Sequence, residues 1–281
     1  MRSVARRRFG WRSRSSSRSV IEIEHVRFGY SDGGAPSQAQ LVLDDVDVAI
    51  PDGAFVSILG PTGCGKTTLL RLVHGLEQPT SGQVVIDGQI VVGPARDRAM
   101  VFQEFNLLPW RTTIENAEFG LELHGMSRPA RRAVALDVLR RVGLDAARDQ
   151  YPRQLSGGMK QRLGLARALA VSPRYLLMDE PFGALDLQTR ESLQIELMRL
   201  WEADRKTVLF VTHSVDEAIL LSDRIIVMGA APSRILRVVD VRLPRPRWSA
   251  DGTDDVRGSD EFLRIRRLLW ALLRAQSREA A

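Results

Sequence analysis

The stretch GPTGCGKT, Gly60 to Thr67, sets two glycines, a lysine and a threonine in the spacing G-x-x-x-x-G-K-[ST]. In that pattern Gly60, Pro61, Thr62, Gly63, Cys64 and Gly65 form a loop flexible enough to turn its backbone N–H groups toward phosphate oxygens. Lys66 then reaches the β- and γ-phosphates, and the Thr67 hydroxyl can ligate Mg²⁺, with Thr68 following in the same helix. The dipole of that helix and the neighbouring Lys66 are expected to lower the pKa of the Cys64 thiol. About 110 residues on, YLLMDE (175–180) reads as an apolar strand ending in two acids. Alone, that is an ordinary polar strand end. Beside a phosphate loop, Asp179 becomes the metal-side carboxylate and Glu180 a group able to polarise an attacking water.

A second glycine cluster raises a question. In LSGGMKQRLGLARALA (155–170), a serine and two glycines precede a helical run, which presents bare N–H groups and a positive dipole end to an anion. The chain thus holds two phosphate cradles.

The flanking patterns supply the elements that must carry these groups. AFVSILG (54–60) is a short apolar run and GKTTLLRLVHGL has helical spacing, so the loop joins a strand to a helix. VIEIEHVRF (20–28) and LVLDDVDVAI (41–50) read as strands on either side of a loop-like segment, with further strands at 83–87, 98–102, 174–179, 207–212, 223–229 and 234–242. Between about 104 and 173 the pattern is helical. After RLPRPR a polar linker precedes SDEFLRIRRLLWALLRAQ, which places Phe262, Ile265, Leu268, Leu269, Leu272 and Leu273 on one helix face. That helix is expected to pack on the domain rather than lie on lipid.

Composition bounds the class. With 281 residues, 44% of them apolar and 26% charged, the chain is an ordinary globular one. The net charge of +6 is local: residues 1–18 hold seven arginines and no acid, leaving −1 on the rest. Residues 1–19 are expected to be a disordered basic tail; no apolar run follows the arginines, which argues against a twin-arginine signal. One cysteine and four scattered histidines exclude an internal disulfide and a Cys- or His-built metal cluster. No run of about 18 apolar residues is present, so a membrane role must come through a partner.

The order of LSGGMKQR, YLLMDEP, GALD (183–186) and VTHS (211–214) after the phosphate loop resembles the ATP-binding subunits of ABC transporters, over about residues 20–245. The resemblance implies an α/β fold: a P-loop NTPase, RecA-like core with an N-terminal antiparallel β element, an inserted helical subdomain at about 104–173, and a linker and amphipathic helix at 246–281. It implies Mg²⁺-dependent ATP hydrolysis. It also answers the question of two cradles, since in that family the signature, here Ser156, Gly157 and Gly158, binds the γ-phosphate held by another subunit's loop. Tyr30 is implied as the aromatic stacked on adenine, with Phe28 a competitor that strand alternation directs to the apolar face. Gln103 is implied as a contact to Mg²⁺ and the attacking water, Asp186 as a link between subunits, and His213 as the group that holds the γ-phosphate and Glu180 in register. Met159 departs from the glutamine common at the fifth signature position.

The stretch LLPWRTTIENAEFGLELHG (107–125), LPRPR and the short C-terminal helix are similar to the branch serving nitrate, sulfonate and taurine importers. Within it, Trp110 with Pro109 beside it is either an anchor for a partner's helix or a core-capping aromatic. The implied partners are a second copy or a homologous ATPase, integral membrane permease subunits and, indirectly, an extracytoplasmic solute-binding protein. No nucleic acid is expected, and the implied location is the cytoplasmic face of the membrane. The alternative is a soluble ATPase of the same family acting on nucleic acid or ribosomes through the basic arm.

Overall fold

The computed structural model describes residues 19–30, 41–183, 185–247 and 254–279. Residues 1–18 of the basic tail, the loop at 31–40, Ala184 and the polar linker at 248–253 lie outside them; Ser19, assigned to the tail from the sequence, instead begins the first strand, opposite Pro51. In chain order the first half holds β1 (Ser19–Gly29), β2 (Leu41–Pro51), β3 (Phe55–Leu59), α1 (Lys66–His74), β4 (Ser81–Ile86), β5 (Gln89–Ile90) and β6 (Arg98–Val101). Three helices follow, α2 (Thr113–Leu123), α3 (Arg128–Arg141) and α4 (Gly157–Ala170). The chain then alternates: β7 (Tyr175–Asp179), α5 (Leu187–Ala203), β8 (Thr207–Thr212), α6 (Val215–Leu221), β9 (Arg224–Met228), β10 (Ile235–Asp240), α7 (Asp254–Arg257) and α8 (Asp260–Glu279).

β3, β7 and β8 are buried at every residue, as expected of parallel strands covered on both faces. They sit inside a six-stranded sheet ordered β10-β9-β3-β8-β7-β6, parallel except for the edge strand β10. A four-stranded antiparallel sheet, β2-β1-β4-β5, lies against one face. β1 alternates, with Val26 and Phe28 buried and Tyr30 exposed just beyond the strand. The shift in register between Ile23 and Val26, where His25 takes φ 48°, is a bulge. The two-residue strand β5 was too short to leave a pattern in the sequence. Tyr175, at the start of β7, donates its hydroxyl to Asp87 at 2.5 Å, and Arg174 reaches the same carboxylate at 2.6 Å. This fastens the antiparallel sheet to the strand that ends in Asp179.

Apolar packing divides into clusters. One fills the space between the two sheets and includes Cys64, Leu69, Leu70 and Val211. Another lies on the opposite face of the parallel sheet, around Phe55, Phe210, Leu193 and Trp201. α2, α3 and α4 enclose their own cluster, with Ile114, Leu139, Leu155 and Leu163. The fourth joins α6, β9 and the segment after β10 to α8 through Phe262, Ile265 and Leu269, with Leu268, Leu272 and Leu273 partly buried against it. The C-terminal helix is therefore packed on the domain along the expected face.

Candidate active site

The phosphate loop begins at the carboxyl end of β3, the central strand of its neighbours β8 and β9. Gly65 is the N-cap of α1 with φ 93°, a conformation that suits only glycine, and a Cβ there would lie 2.8 Å from Val42 and 2.9 Å from Leu43. No side chain caps α1. Its first N–H groups are thus left for an external acceptor, as an anion site requires. Lys66 is buried and folds back to donate to the carbonyls of Gly60 at 3.1 Å and Pro61 at 2.8 Å. Thr62 and Gly63 form the exposed outer side of the loop.

Cys64 does not behave as the sequence led us to expect. It is buried against the core between the sheets, and burial pushes its thiol pKa up, a larger effect than the opposing pull of Lys66. Desolvation here outweighs the pull of Lys66 that the sequence suggested would lower the pKa.

Register brings the other groups to the same edge. Leu59 pairs with Thr212, and Asp179 pairs with Val211, so β3, β8 and β7 end side by side. Thr67 on α1 donates to Asp179 Oδ1 at 2.9 Å. Burial raises the Asp179 pKa, the Thr67 hydrogen bond acting against it and Glu180 with it. The next residue, Glu180, has φ 44°, a strained setting for a residue other than glycine. His213, one residue past β8, brings Nδ1 to 3.0 Å from Glu180 Oε2. Tyr30 shares a hydrogen bond with Thr68 at 3.3 Å and packs edge-on against Phe28 at 5.0 Å between ring centroids. Tyr30 remains 47% exposed, while Phe28 is buried.

Gln103 lies exposed two residues beyond β6, the neighbour of β7. Among the described residues it has no recorded hydrogen bond to Asp179 or Glu180. Ser156 is the N-cap of α4 and accepts from Met159 N at 3.3 Å. It and Gly157 are exposed, whereas Leu155 before them is buried. A Cβ on Gly158 would approach Thr189 to 2.6 Å, so this position needs glycine for packing. Asp186 is exposed and caps α5, accepting from Thr189 N at 3.0 Å. Trp110 is 71% exposed, which rejects the core-capping reading, and Pro109 beside it is exposed as well.

The sequence missed Arg247. Placed in the linker by its setting in LPRPR, it is buried, and its guanidinium donates to five carbonyls, those of Ile219, Leu220, Ser222, Val241 and Leu243. No periodicity marks a residue whose partners are backbone atoms.

The family described as ABC transporter matches residues 43–183, from β2 to just past Glu180. The chain belongs to that family. The cassette is 49% identical over 232 residues to an uncharacterized ABC transporter ATP-binding protein of Methanocaldococcus jannaschii, covering 83% of this chain and 84% of that one. It is 45% identical to the nitrate import ATP-binding protein NrtC of Synechococcus elongatus, covering 81% of this chain and 35% of the longer relative. With the taurine import ATP-binding protein TauB of Yersinia pestis it shares 42% identity, covering 82% and 90%. Among solved structures it is similar, with TM-score 0.70 and 36% identity, to an ATP-binding cassette in a dimeric post-hydrolysis state bound to ADP and Pi, covering 80% of this chain and all of that one. The fold is that of a P-loop NTPase, and the cassette is an ATPase of the ABC type. Among the described residues no helix is long and apolar enough to cross a membrane.

Proposed function

We propose that the cassette hydrolyses Mg²⁺-ATP to energise a membrane importer of small solutes, of the kind that carries nitrate, sulfonate or taurine. The observation that carries this is the convergence of Lys66, the Thr67–Asp179 pair and the Glu180–His213 pair at neighbouring strand ends, while Ser156 stands exposed at the head of a different helix. A hydroxyl and a buried carboxylate are oxygen donors of the kind Mg²⁺ takes, and the raised pKa of Asp179 marks a carboxylate that gains from a cation. Thr67, Asp179 and Gln103 are the residues that would hold the ion, which supplies charge neutralisation at the β- and γ-phosphates.

The chain's own residues perform the rest. N–H groups of the loop from Thr62 to Thr68 and the Lys66 ammonium bind the phosphates, and Tyr30 stacks on the base. Glu180 accepts the proton of the attacking water at its carboxylate, and His213, hydrogen-bonded to Oε2, fixes the direction of that carboxylate. Ser156, Gly157 and Gly158 serve the nucleotide of a second cassette, with Asp186 at the contact between the two. The second cassette is another copy or a homologue, and the exposed Pro109–Trp110 corner is offered to a permease subunit at the cytoplasmic face.

The test uses two substitutions. Glu180→Gln keeps the shape and loses the base, so hydrolysis is expected to fall by roughly 10² to 10⁴ while binding survives. This variant should accumulate as an ATP-dependent dimer on size exclusion. Adding Ser156→Arg puts bulk and positive charge at the signature, so the dimer should vanish while a fluorescent ATP analogue binds the monomer with unchanged affinity. A large loss of monomer affinity would mean that Ser156 serves its own loop, and would refute the paired arrangement.

A further inference from the structure

Three buried polar side chains that no step of hydrolysis uses meet beside His213. They are Gln194 on α5, Thr212 at the end of β8 and Glu217 on the first turn of α6. Hydrogen-bond accounting fixes their order. The Thr212 hydroxyl accepts from Ser214 N at 3.0 Å, so its single proton is free to go to Glu217 Oε2, with which it is in close contact. The other carboxylate oxygen, Oε1, accepts from Gln194 Nε2 at 2.7 Å. Ser214 in turn accepts the N–H of Glu217 at 3.3 Å and caps α6.

Thr212, just before His213, is thus tied by buried bonds to α6 and through it to α5, and Ser214, just after, is tied to α6 by a part-buried bond, while the imidazole itself is 58% exposed and reaches outward to Glu180. Burying a carboxylate is costly, and burial raises the Glu217 pKa. An apolar trio would pack α5 against α6 at lower cost. What the polar trio adds is direction, since a satisfied buried network admits one geometry. The chain from Gln194 to Ser214 sets the backbone at the point where His213 leaves the sheet.

We propose that Gln194 and Glu217, acting through Thr212, are positioning residues that hold His213 against Glu180 for ATP hydrolysis. The proposal rests on the reading of His213 given above, and the experiment separates the two. Steady-state ATPase is measured for His213→Ala first. If kcat does not fall, the role of His213 fails and the proposal goes with it. If kcat falls, Gln194→Leu and Thr212→Val are each expected to lower kcat by about tenfold to hundredfold, with ATP affinity within about twofold of the parent.

The double variant His213→Ala/Gln194→Leu should be no slower than His213→Ala alone, because there is then no imidazole to position. If the two losses multiply instead, Gln194 acts elsewhere, and the proposal is overturned with the role of His213 intact. The conservative variants keep the test decisive if an apolar one does not fold. Thr212→Ser keeps the hydroxyl, and Glu217→Gln can keep both bonds once the Gln194 amide turns over, so each is expected to retain kcat within about threefold. A folded Thr212→Ser or Glu217→Gln protein that loses the rate as His213→Ala does would overturn the proposal.

Discussion

Replacing Arg247 with methionine would keep an apolar stem and remove the guanidinium, and the structure allows the cost to be worked out from opposing terms. Five carbonyls lose their donor, three of them from the end of α6 and two from the segment after β10. At about 1 kcal/mol for each buried acceptor left unpaired, the loss is about 5 kcal/mol. Against this stands the relief of a desolvated cation. Burial pushes the Arg247 pKa down to about 10, well below the ordinary guanidinium range, with Arg245 adding to the effect, which corresponds to a penalty of about 3 kcal/mol. The net destabilisation is about 2 kcal/mol, or a fall in Tm of roughly 4–8 °C for a domain of this size. Thermal unfolding followed by circular dichroism, without nucleotide, measures it. A change of less than about 1 °C would mean that the carbonyls find water or other donors, and that the LPRPR segment does not hold α6.

The raised pKa of Asp179 makes a second prediction whose sign can be worked out. A carboxylate whose folded pKa lies above its unfolded value destabilises the fold once ionised, so the penalty is fullest above the raised value, shrinks as pH falls through it, and is absent below the unfolded pKa of 3.8. Asp179→Asn is therefore expected to raise the metal-free Tm at pH 7, to lose that advantage near pH 3.5, and to abolish Mg²⁺-dependent turnover; a lower Tm at pH 7 would refute the argument. Cys64 supplies the third: buried and with its thiol pKa pushed up, it should resist alkylation in the native protein at pH 7 with or without ATP, and react fully in denaturant. Rapid labelling of the native form would show that the loop opens far enough to expose it.

What was legible in the sequence was placement carried by short contiguous patterns. The phosphate loop between strand and helix, the Asp179–Glu180 strand end and the helical face of Phe262, Ile265 and Leu269 are each local, and each was found where its pattern lies. What it hid was produced by register. Thr212, Gln194 and Glu217 belong to three different elements, and only the pairing of β7 with β8 and the packing of α5 beside α6 brings them together. The Cys64 error has the same origin, since the desolvation that decides its pKa comes from distant parts of the chain.

The division of the apolar packing has an evolutionary consequence. Ser156 follows Leu155, which belongs to the cluster inside α2, α3 and α4, whereas Cys64 in the nucleotide loop is packed in the cluster between the two sheets. α4 belongs to both clusters: its Leu165 and Ala168 lie in the sheet-side cluster behind α5, and Leu169, Val171 and Leu200 pack against both. Substitutions on α2 and α3 therefore act first on the block's own packing, whereas those on α4 reach the parallel sheet as well. If the exposed Trp110 corner is the permease contact proposed above, that surface can drift to suit a new partner while the sheet-side core beneath the phosphate loop is inherited unchanged.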